Sequence, residues 1–520
     1  MTARPNSAEL VERVLDRGSW ISWDRPVVDP PCTDEPYRAA LARARRASGL
    51  DEAVVTGEGT IRGRRVAAVI GDFRFMAGSI GVATAERIVE AVRRATREGL
   101  PLLAAPVSGG TRMQEGTVAF VQMIAITDAI AAHRAARLPY LVYLRHPTTG
   151  GVLASWGSLG HITVAEPGAL IGFLGPRVYE AIHGEEFPSG VQTAENLYEH
   201  GLVDAVLPVG RLAELADRAL GVLCGPAGAP PGGTWPTTTG AGTRGGREEK
   251  AGAETRDTPA WESVRRSRRP DRPGVRALLR YGATDVVRLN GTQEGETGGT
   301  LLLALARFGD APCVVLGQDR AHARQDRPFD PGGLRAARRG MRLAQELGLP
   351  LVTVIDTAGA ALSKEAEEGG LAGEIARSLY DLVTLESPTL CVLLGEGTGG
   401  GALALLPADR IVSAQHAWLS PLPPEGASAI LYRTTEHAAE LAASQGIRSL
   451  DLREHGIVDR IVTESPDDHE DFLRRLGDVI TTELLGLIPI PAATRLAERR
   501  HRFRELGRRA RPVGSHGGGR

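Results

Sequence analysis

Lysine is nearly missing from this 520-residue chain: of its 61 basic residues only Lys250 and Lys364 are lysines, which reads as the codon bias of a GC-rich genome. Aromatic residues make up only 4%, too few to favour a stacking platform for single-stranded nucleic acid. Net charge is also lacking, at −2, which argues against bare nucleic acid or an acidic membrane surface as the main partner. The four cysteines, Cys32, Cys224, Cys313 and Cys391, form no C-x-x-C pair. A disulfide framework and a cysteine zinc site are therefore not expected, and a reducing, cytoplasmic location is. No apolar run approaches the ~20 residues of a membrane span. The start, Met1 to Leu15, has no apolar segment of signal-peptide type.

What the chain does have is glycine (64) and proline (33), together with 42% hydrophobic residues. The length predicts two to four domains at ~100–200 residues each. From Gly225 to about Arg272 the composition turns to Gly, Pro, Thr and charge, which cannot bury enough apolar surface to offset ordering and predicts a flexible linker. The basic run Arg265, Arg266, Arg268, Arg269 at its end reads as a solvated part of that linker.

The flanks of this stretch repeat one another. Gly99-Leu100-Pro101-Leu102 returns as Gly348-Leu349-Pro350-Leu351, and Gly150-Gly151 returns as Gly399-Gly400, both offset by 249 residues. Glu199-His200-Gly201-Leu202-Val203-Asp204 returns as Glu454-His455-Gly456-Ile457-Val458-Asp459, offset by 255. In each copy helical and strand patterns alternate: Arg87 to Glu98, Leu102 to Val107, Val118 to Arg137 and Tyr140 to Leu144 in the first, and Leu334 to Leu347, Leu351 to Ile355, Leu371 to Leu385 and Thr389 to Leu394 in the second. Alternation of this kind predicts parallel sheets with helical crossovers, so the chain reads as two copies of one α/β domain.

Each strand ends in a glycine loop. A strand that runs through paired glycines into a helix presents backbone N–H groups at the positive helix end, and glycine lets a carbonyl approach without a Cβ in the way. That pattern suits an oxyanion hole, where one donor contributes ~2.7–4 kcal/mol to a transition state. The order G-x-x-x-x-G-K-[ST] is absent, so a nucleotide P-loop is excluded. Gly395-Glu396-Gly397-Thr398-Gly399-Gly400 formally matches G-x-G-x-x-G, but its twin in the first copy does not. Neither a G-x-S-x-G elbow nor an H-E-x-x-H helix is present. His146, His161, Glu396 and Glu425 beside the loops read as structural hydrogen-bond partners, which leaves the chemistry to backbone electrostatics.

The loops Ser108-Gly109-Gly110-Thr111-Arg112-Met113-Gln114-Glu115-Gly116, Pro147-Thr148-Thr149-Gly150-Gly151 and Ile171-Gly172-Phe173-Leu174-Gly175-Pro176 resemble the β subunit of bacterial acetyl-CoA carboxylase carboxyltransferase. The second copy resembles its α subunit through Ile355-Asp356-Thr357-Ala358-Gly359-Ala360, Gly395 to Ala404, and Pro424-Glu425-Gly426-Ala427. Even the Arg-rich end, Glu498 to Arg504, is similar to that subunit's closing helix.

The resemblance implies two tandem crotonase-like (ClpP/crotonase-type) α/β domains, fused in one chain. It divides the sequence into an N-terminal extension (1–34), a β-type domain on the acyl-CoA side (35–224), the flexible linker (225–272), an α-type domain on the carboxybiotin side (273–490), and a C-terminal helix with a disordered tail (491–520). It implies transfer of a carboxyl group from carboxybiotin on a biotin carboxyl carrier protein to the α carbon of acetyl-CoA or another short acyl-CoA, at a site between a β-type and an α-type half. In it the Gly150 and Gly151 amides would hold the thioester enolate, and Gly400 and Gly401 the biotin ureido oxygen. Biotin freed of CO₂ can itself take the α proton, so no protein base is needed. Gly109, Gly110, Arg112, Gly172, Gly175, Asp356, Gly359, Gly399, Glu425 and Gly426 would shape the substrate pockets. No metal is implied. A separate biotin carboxylase and a homodimer are.

Three departures stand out. The four-cysteine zinc ribbon usual in β subunits is missing, Ala358 replaces a proline that would fix φ, and Ala361-Leu362-Ser363-Lys364 replaces a Tyr-Pro-Gly segment. Two other readings are open: a malonyl-thioester decarboxylase using the same holes, and a non-catalytic carrier- or acyl-CoA-binding paralogue.

Overall fold

A computed structural model describes residues 4–27, 35–173, 180, 185–224, 258–323, 329–361, 363–465 and 467–509. Backbone contacts divide the chain into two units, 1–234 with 289–297 and 235–288 with 298–520.

The first unit holds the strands β1 (Ile21–Ser22), β2 (Val54–Ile61), β3 (Arg64–Gly71), β4 (Leu102–Ala105), β5 (Tyr140–Leu144), β6 (Thr148–Thr149), β7 (Ile162–Ala165), β8 (Ile171–Gly172) and β9 (Ala205–Val206). Its sheet runs β1-β2-β3-β4-β5-β7-β9, and β6 pairs with β8 apart from it. β2 and β3 form an antiparallel hairpin, turned by Arg62 and Gly63, both at positive φ, the conformation a two-residue hairpin turn demands. From β3 onward the pairing is parallel. Parallel neighbours need crossovers, supplied by α2 (Val82–Arg97) before β4 and α3 (Gly116–Ala135) before β5. β4 and β5 are buried at every residue, which is why they read as continuous apolar runs rather than alternating ones. An earlier helix, α1 (Glu35–Ser48), adds Tyr37 to the interior.

The second unit repeats the plan. β10 (Asp285–Leu289), β11 (Leu301–Phe308), β12 (Ala311–Gln318), β13 (Leu351–Thr357), β14 (Thr389–Thr398), β15 (Arg410–Ala414), β16 (Trp418–Ser420) and β17 (Arg460–Val462) form one sheet, ordered β10-β11-β12-β13-β14-β15-β17 with β16 on β14. The β11·β12 hairpin is antiparallel and the strands that follow are parallel. The crossovers are α5 (Pro331–Leu347) and α6 (Leu371–Thr384), preceded in the chain by α4 (Ala260–Ser267). α7 (Gly399–Leu403), α8 (Pro424–Tyr432), α9 (His469–Leu487) and α10 (Ala492–Arg509) complete the unit. α5 starts on the Asp330 side chain, which accepts the Gly333 amide, and ends on Gly348 in the left-handed region, the paired start and stop signals of a helix.

One expectation changes at the boundaries. The linker does not run to 272: α4 buries Ala260, Ser263, Val264 and Ser267, because Trp261 and Val264 sit one helical turn apart inside a basic run. The N-terminal extension carries a helix of its own, Ser7–Val14, capped by Asn6, and Ser7 donates through both its amide and its hydroxyl to Asp72. In α10, Arg499 is buried and donates to Asp409 at 2.8 Å and to the carbonyls of Leu382 and Leu385. The remainder of the expected linker, 225–257, and the tail from 510 lie outside the described residues.

Candidate active site

In the first unit β4 leads into Ser108-Gly109-Gly110. The buried Ser108 hydroxyl accepts the Gly110 amide at 3.0 Å and returns a hydrogen bond to the Gly110 carbonyl. The turn is tied to the next loop, because Thr149 donates to the Ser108 carbonyl through its amide (3.0 Å) and its hydroxyl (3.2 Å). There the chain swings through Gly150, at φ +64, a conformation that costs a side-chain-bearing residue roughly 1–2 kcal/mol. An added Cβ at Gly150 would also lie 3.4 Å from the Gly110 Cα, so the two glycine loops approach backbone to backbone.

These bonds decide which amides are free. The Gly109 N–H is donated to Ala77, Gly110 to its own Ser108, and Gly150 to Phe173 at 3.0 Å. The sequence assigns Gly150 and Gly151 jointly as enolate donors, but in this conformation only Gly151 keeps an N–H with no acceptor among the described residues. It stands in the first turn of a 3₁₀ helix, where amides lack internal partners. Gly109 and Gly110 supply shape rather than donors.

Arg112 requires a correction. Its side chain is 1% exposed, clasped by Glu52 (2.6 and 2.9 Å) and the Ser79 carbonyl, with Glu115 at 3.5 Å. Burial works against its charge, but Glu52 outweighs this and raises its pKa. Glu115 in turn takes the Tyr37 hydroxyl and the Val82 amide. Arg112 therefore anchors the loop, with its guanidinium buried on Glu52 and the Ser79 carbonyl. Gly172 gives room to Gln192, whose carboxamide an added Cβ would meet at 2.5 Å. Gly175 lies outside the described residues.

The second unit rebuilds the turn. Thr357 Oγ1 accepts the Gly359 amide at 3.1 Å and donates to the Gly359 carbonyl at 3.0 Å. Gly359 has φ +130 where Gly110 has +117, and Gly399 has +64 like Gly150. β14 then passes into α7, whose leading residues Gly399, Gly400 and Gly401 have amides without an acceptor in the helix. Thr398 occupies the N-cap but makes no capping bond, so it does not consume these donors. Gly399 is the counterpart of Gly150, and the pairing of Thr398 with Ser420 in the β14·β16 ladder turns its amide to the neighbouring strand, which leaves Gly400 and Gly401 in the place of Gly151.

Asp356 is buried at the point where β13 and β14 shift register. Its amide donates to Gln318 Oε1, while Gln318 Nε2 donates to the Gly401 carbonyl at 2.9 Å. Gln318 thus ties the amide-bearing turn to β13, a role signalled in the sequence only by a polar residue closing an apolar strand. Asp356 Oδ1 accepts the Glu396 amide, and a Cβ on Gly395 would fall 2.2 Å from that oxygen. Burial raises its pKa to about 6, against the pull of Arg320 and Arg272. Like Arg112, it supports the site. Glu425 and Gly426 open α8, and Arg268 donates to both Glu425 and Glu396. His146 and His161 accept the amides of Leu170 and Tyr140 through Nδ1. Among the described residues no cluster of three or more His, Cys, Asp or Glu could hold a metal ion.

Comparison with known proteins gives this geometry its family. Residues 9–222 match the description "Carboxyl transferase domain", and residues 247–507 match "Acetyl co-enzyme A carboxylase carboxyltransferase-like". The chain is 59% identical over 508 residues, 97% of its length and 99% of the relative's, to a Mycobacterium tuberculosis protein named probable biotin-dependent acyl-coenzyme A carboxylase beta3 subunit. It is 38% identical over 528 residues to the acetyl-coenzyme A carboxylase carboxyl transferase subunits beta/alpha of Salinispora arenicola, covering 97% of this chain and 91% of that one. Among solved structures, transcarboxylase 12S with methylmalonyl-coenzyme A and methylmalonic acid bound aligns with a TM-score of 0.71 at 20% identity, over 92% of this chain and 89% of that one. At that identity the likeness is one of fold, the two-domain crotonase type. The chain belongs to the biotin-dependent acyl-CoA carboxyltransferases of the acetyl-CoA carboxylase family, with both of that family's domains on one polypeptide.

Proposed function

We propose that this protein transfers a carboxyl group from carboxybiotin, borne on a separate carrier protein, to the α carbon of acetyl-CoA, giving malonyl-CoA. One observation carries the reading: the glycine turn is built twice, with Ser108–Gly110 matched by Thr357–Gly359 in hydrogen bonding and Gly150 matched by Gly399 in φ, each leading into a helix start with open amides. A carboxyl transfer between two carbonyl compounds needs stabilised oxygen on both, and the chain supplies a donor turn for each.

On the acyl-CoA side the Gly151 amide receives the thioester oxygen as it gains charge, with a donor of this kind contributing ~2.7–4 kcal/mol. On the other side Gly400 and Gly401 hold the ureido oxygen of biotin. When bound, carboxybiotin supplies the CO₂ and a base for the α proton. The chain's part is to orient both groups. The buried Ser108, Thr149, Gln318 and Arg112 bonds hold the turns before substrate arrives, so little reorganisation falls on the reaction itself. A biotin carboxylase reloads the carrier.

The exposed apolar face of α3 supports self-association into a homodimer. Val118, Val121 and Ile124 follow one another at one-turn spacing, Phe120 stands one turn before Ile124, and Ile124 is 72% exposed. A patch of this kind on a water-facing helix marks an interaction surface. α3 with its preceding turn is also long and apolar enough by composition to cross a membrane, but it is the crossover helix packed on α2 between β4 and β5.

The reading is tested by supplying the purified protein with ¹⁴C-carboxylated carrier and a panel of acyl-CoAs. Label should appear in malonyl-CoA with acetyl-CoA as acceptor. Transfer only to longer or branched acyl-CoAs would reject the acetyl assignment, and CO₂ release from malonyl-CoA without biotin would replace it with a decarboxylase.

A further inference from the structure

The arginine run of α4 looks uniform in sequence, and the structure gives its members separate tasks. Arg265 and Arg266 share Glu262, and Arg269 pairs with Asp271. Arg268 turns elsewhere. Its Nε donates to Glu396 Oε2 at 3.0 Å, its Nη1 to Glu425 Oε1 at 2.5 Å and its Nη2 to Glu425 Oε2 at 3.3 Å.

The three residues sit at telling places. Glu396 lies in β14, three residues before Gly399, and Glu425 lies in the first turn of α8. One guanidinium therefore spans two segments that flank the open amides. Its own position is fixed: its carbon lies 5.7 Å from the centre of the Trp418 ring, and the fully buried Trp418 donates its indole N–H to Ser267 Oγ at 2.8 Å. Trp418 is also the register partner of Glu396 in the β14·β16 pair. Without Arg268, two carboxylates would lose their common cation. A lysine cannot replace it, because one ammonium is a point charge and the planar fork reaches two acceptors in different directions.

We propose that Arg268 is a positioning residue for the carboxyl donor: by holding Glu396 and Glu425 it sets the spacing between the Gly400 and Gly401 amides and the first turn of α8, and with it the seating of carboxybiotin. This rests on the assignment of carboxybiotin to those amides. The segment that composition assigns to the linker is then part of the working site.

The test uses full-length Arg268→Met, Arg268→Lys and Glu425→Gln variants, read by amide hydrogen exchange and by steady-state transfer with each substrate varied in turn. Arg268→Met should speed exchange in 395–402 and 424–428 while other segments keep their rates. It should lower kcat/KM for the carboxylated carrier by about tenfold or more, the scale of a lost charge-assisted hydrogen bond, and leave KM for acyl-CoA unchanged. Arg268→Lys should fare little better, and Glu425→Gln, which keeps an acceptor but loses the charge, should lose less in carrier kinetics than either Arg268 variant. Unchanged exchange and carrier kinetics would overturn the proposal. So would losses for both substrates in equal proportion to the folded fraction. If Arg268→Met does not fold, Arg268→Lys set against Glu425→Gln decides, and equal carrier kinetics in these two would also overturn it. A wild-type protein that transfers nothing while Arg268→Met still loosens both segments would refute the functional assignment and leave the clamp as structure alone.

Discussion

Ser108 and Thr357, 249 positions apart in the chain, make the same pair of bonds: each hydroxyl accepts the amide of the glycine two residues on and donates to that glycine's carbonyl. A serine in one copy and a threonine in the other preserve the single group the turn needs. The repeat thus extends from strand order down to the hydrogen bonds of one turn.

Removal of the open donor in the first unit should show in kcat. Gly151→Pro deletes that N–H at a first-turn position where proline is tolerated. It should lower kcat by roughly 10²–10³-fold, the cost of one oxyanion-hole donor. Calorimetric titration with acyl-CoA checks that ground-state binding persists.

The closing helix should prove structural. Arg499 is 1% exposed on the 3% exposed Asp409, and burial lowers its pKa against the pull of that carboxylate. Arg499→Met leaves Asp409 with the Thr389 amide and, as its one remaining cation among the described residues, Arg495 at 3.8 Å. A loss of ~3–5 kcal/mol is expected from breaking such a buried pair, read as a lower urea midpoint for the second unit.

Asp356 should make the second unit less stable as pH rises. Burial pushes its carboxyl up to about 6 when folded, well above the ordinary aspartate value of ~3.9. The folded state therefore binds the proton more tightly, and that advantage, full below about pH 4, is lost as pH rises through 6. At 1.36 kcal/mol per pKa unit the swing is roughly 3 kcal/mol. Asp356→Asn, which cannot ionise, should gain on wild type across this window in urea melts at successive pH values. A constant difference would show that Arg320 and Arg272 already hold the carboxyl charged.

Association should depend on the α3 stripe. The chain is 55.1 kDa, and light scattering should give twice that mass. Phe120→Glu together with Ile124→Glu, both at exposed positions, should return it to one chain mass without lowering the melting temperature.

Much of the fold was legible because its signals are periodic. The buried runs of β4, β5, β13 and β14 and the doubled Gly-Leu-Pro-Leu announce parallel strands and a repeat. The donor turns were legible as glycine pairs, but not which amide stays open, since Gly150 loses its N–H to Phe173, a residue 23 positions on. Arg112 misled for a related reason. It sits inside a recognisable loop motif, yet its partner Glu52 is 60 positions away in sequence. Arg268 was hidden by composition, where a folded helix and a solvated run carry the same residues. In each case the deciding contact is long-range, and local pattern carries no trace of it.

The central claim is carboxyl transfer between two substrates. Its most direct test is to incubate the wild-type protein with ¹⁴C-carboxybiotinyl carrier and acetyl-CoA and to separate the acyl-CoA products. The account predicts label in malonyl-CoA, dependent on the protein and abolished by Gly151→Pro. Label that stays on the carrier or leaves only as CO₂, with every acyl-CoA offered, would contradict it.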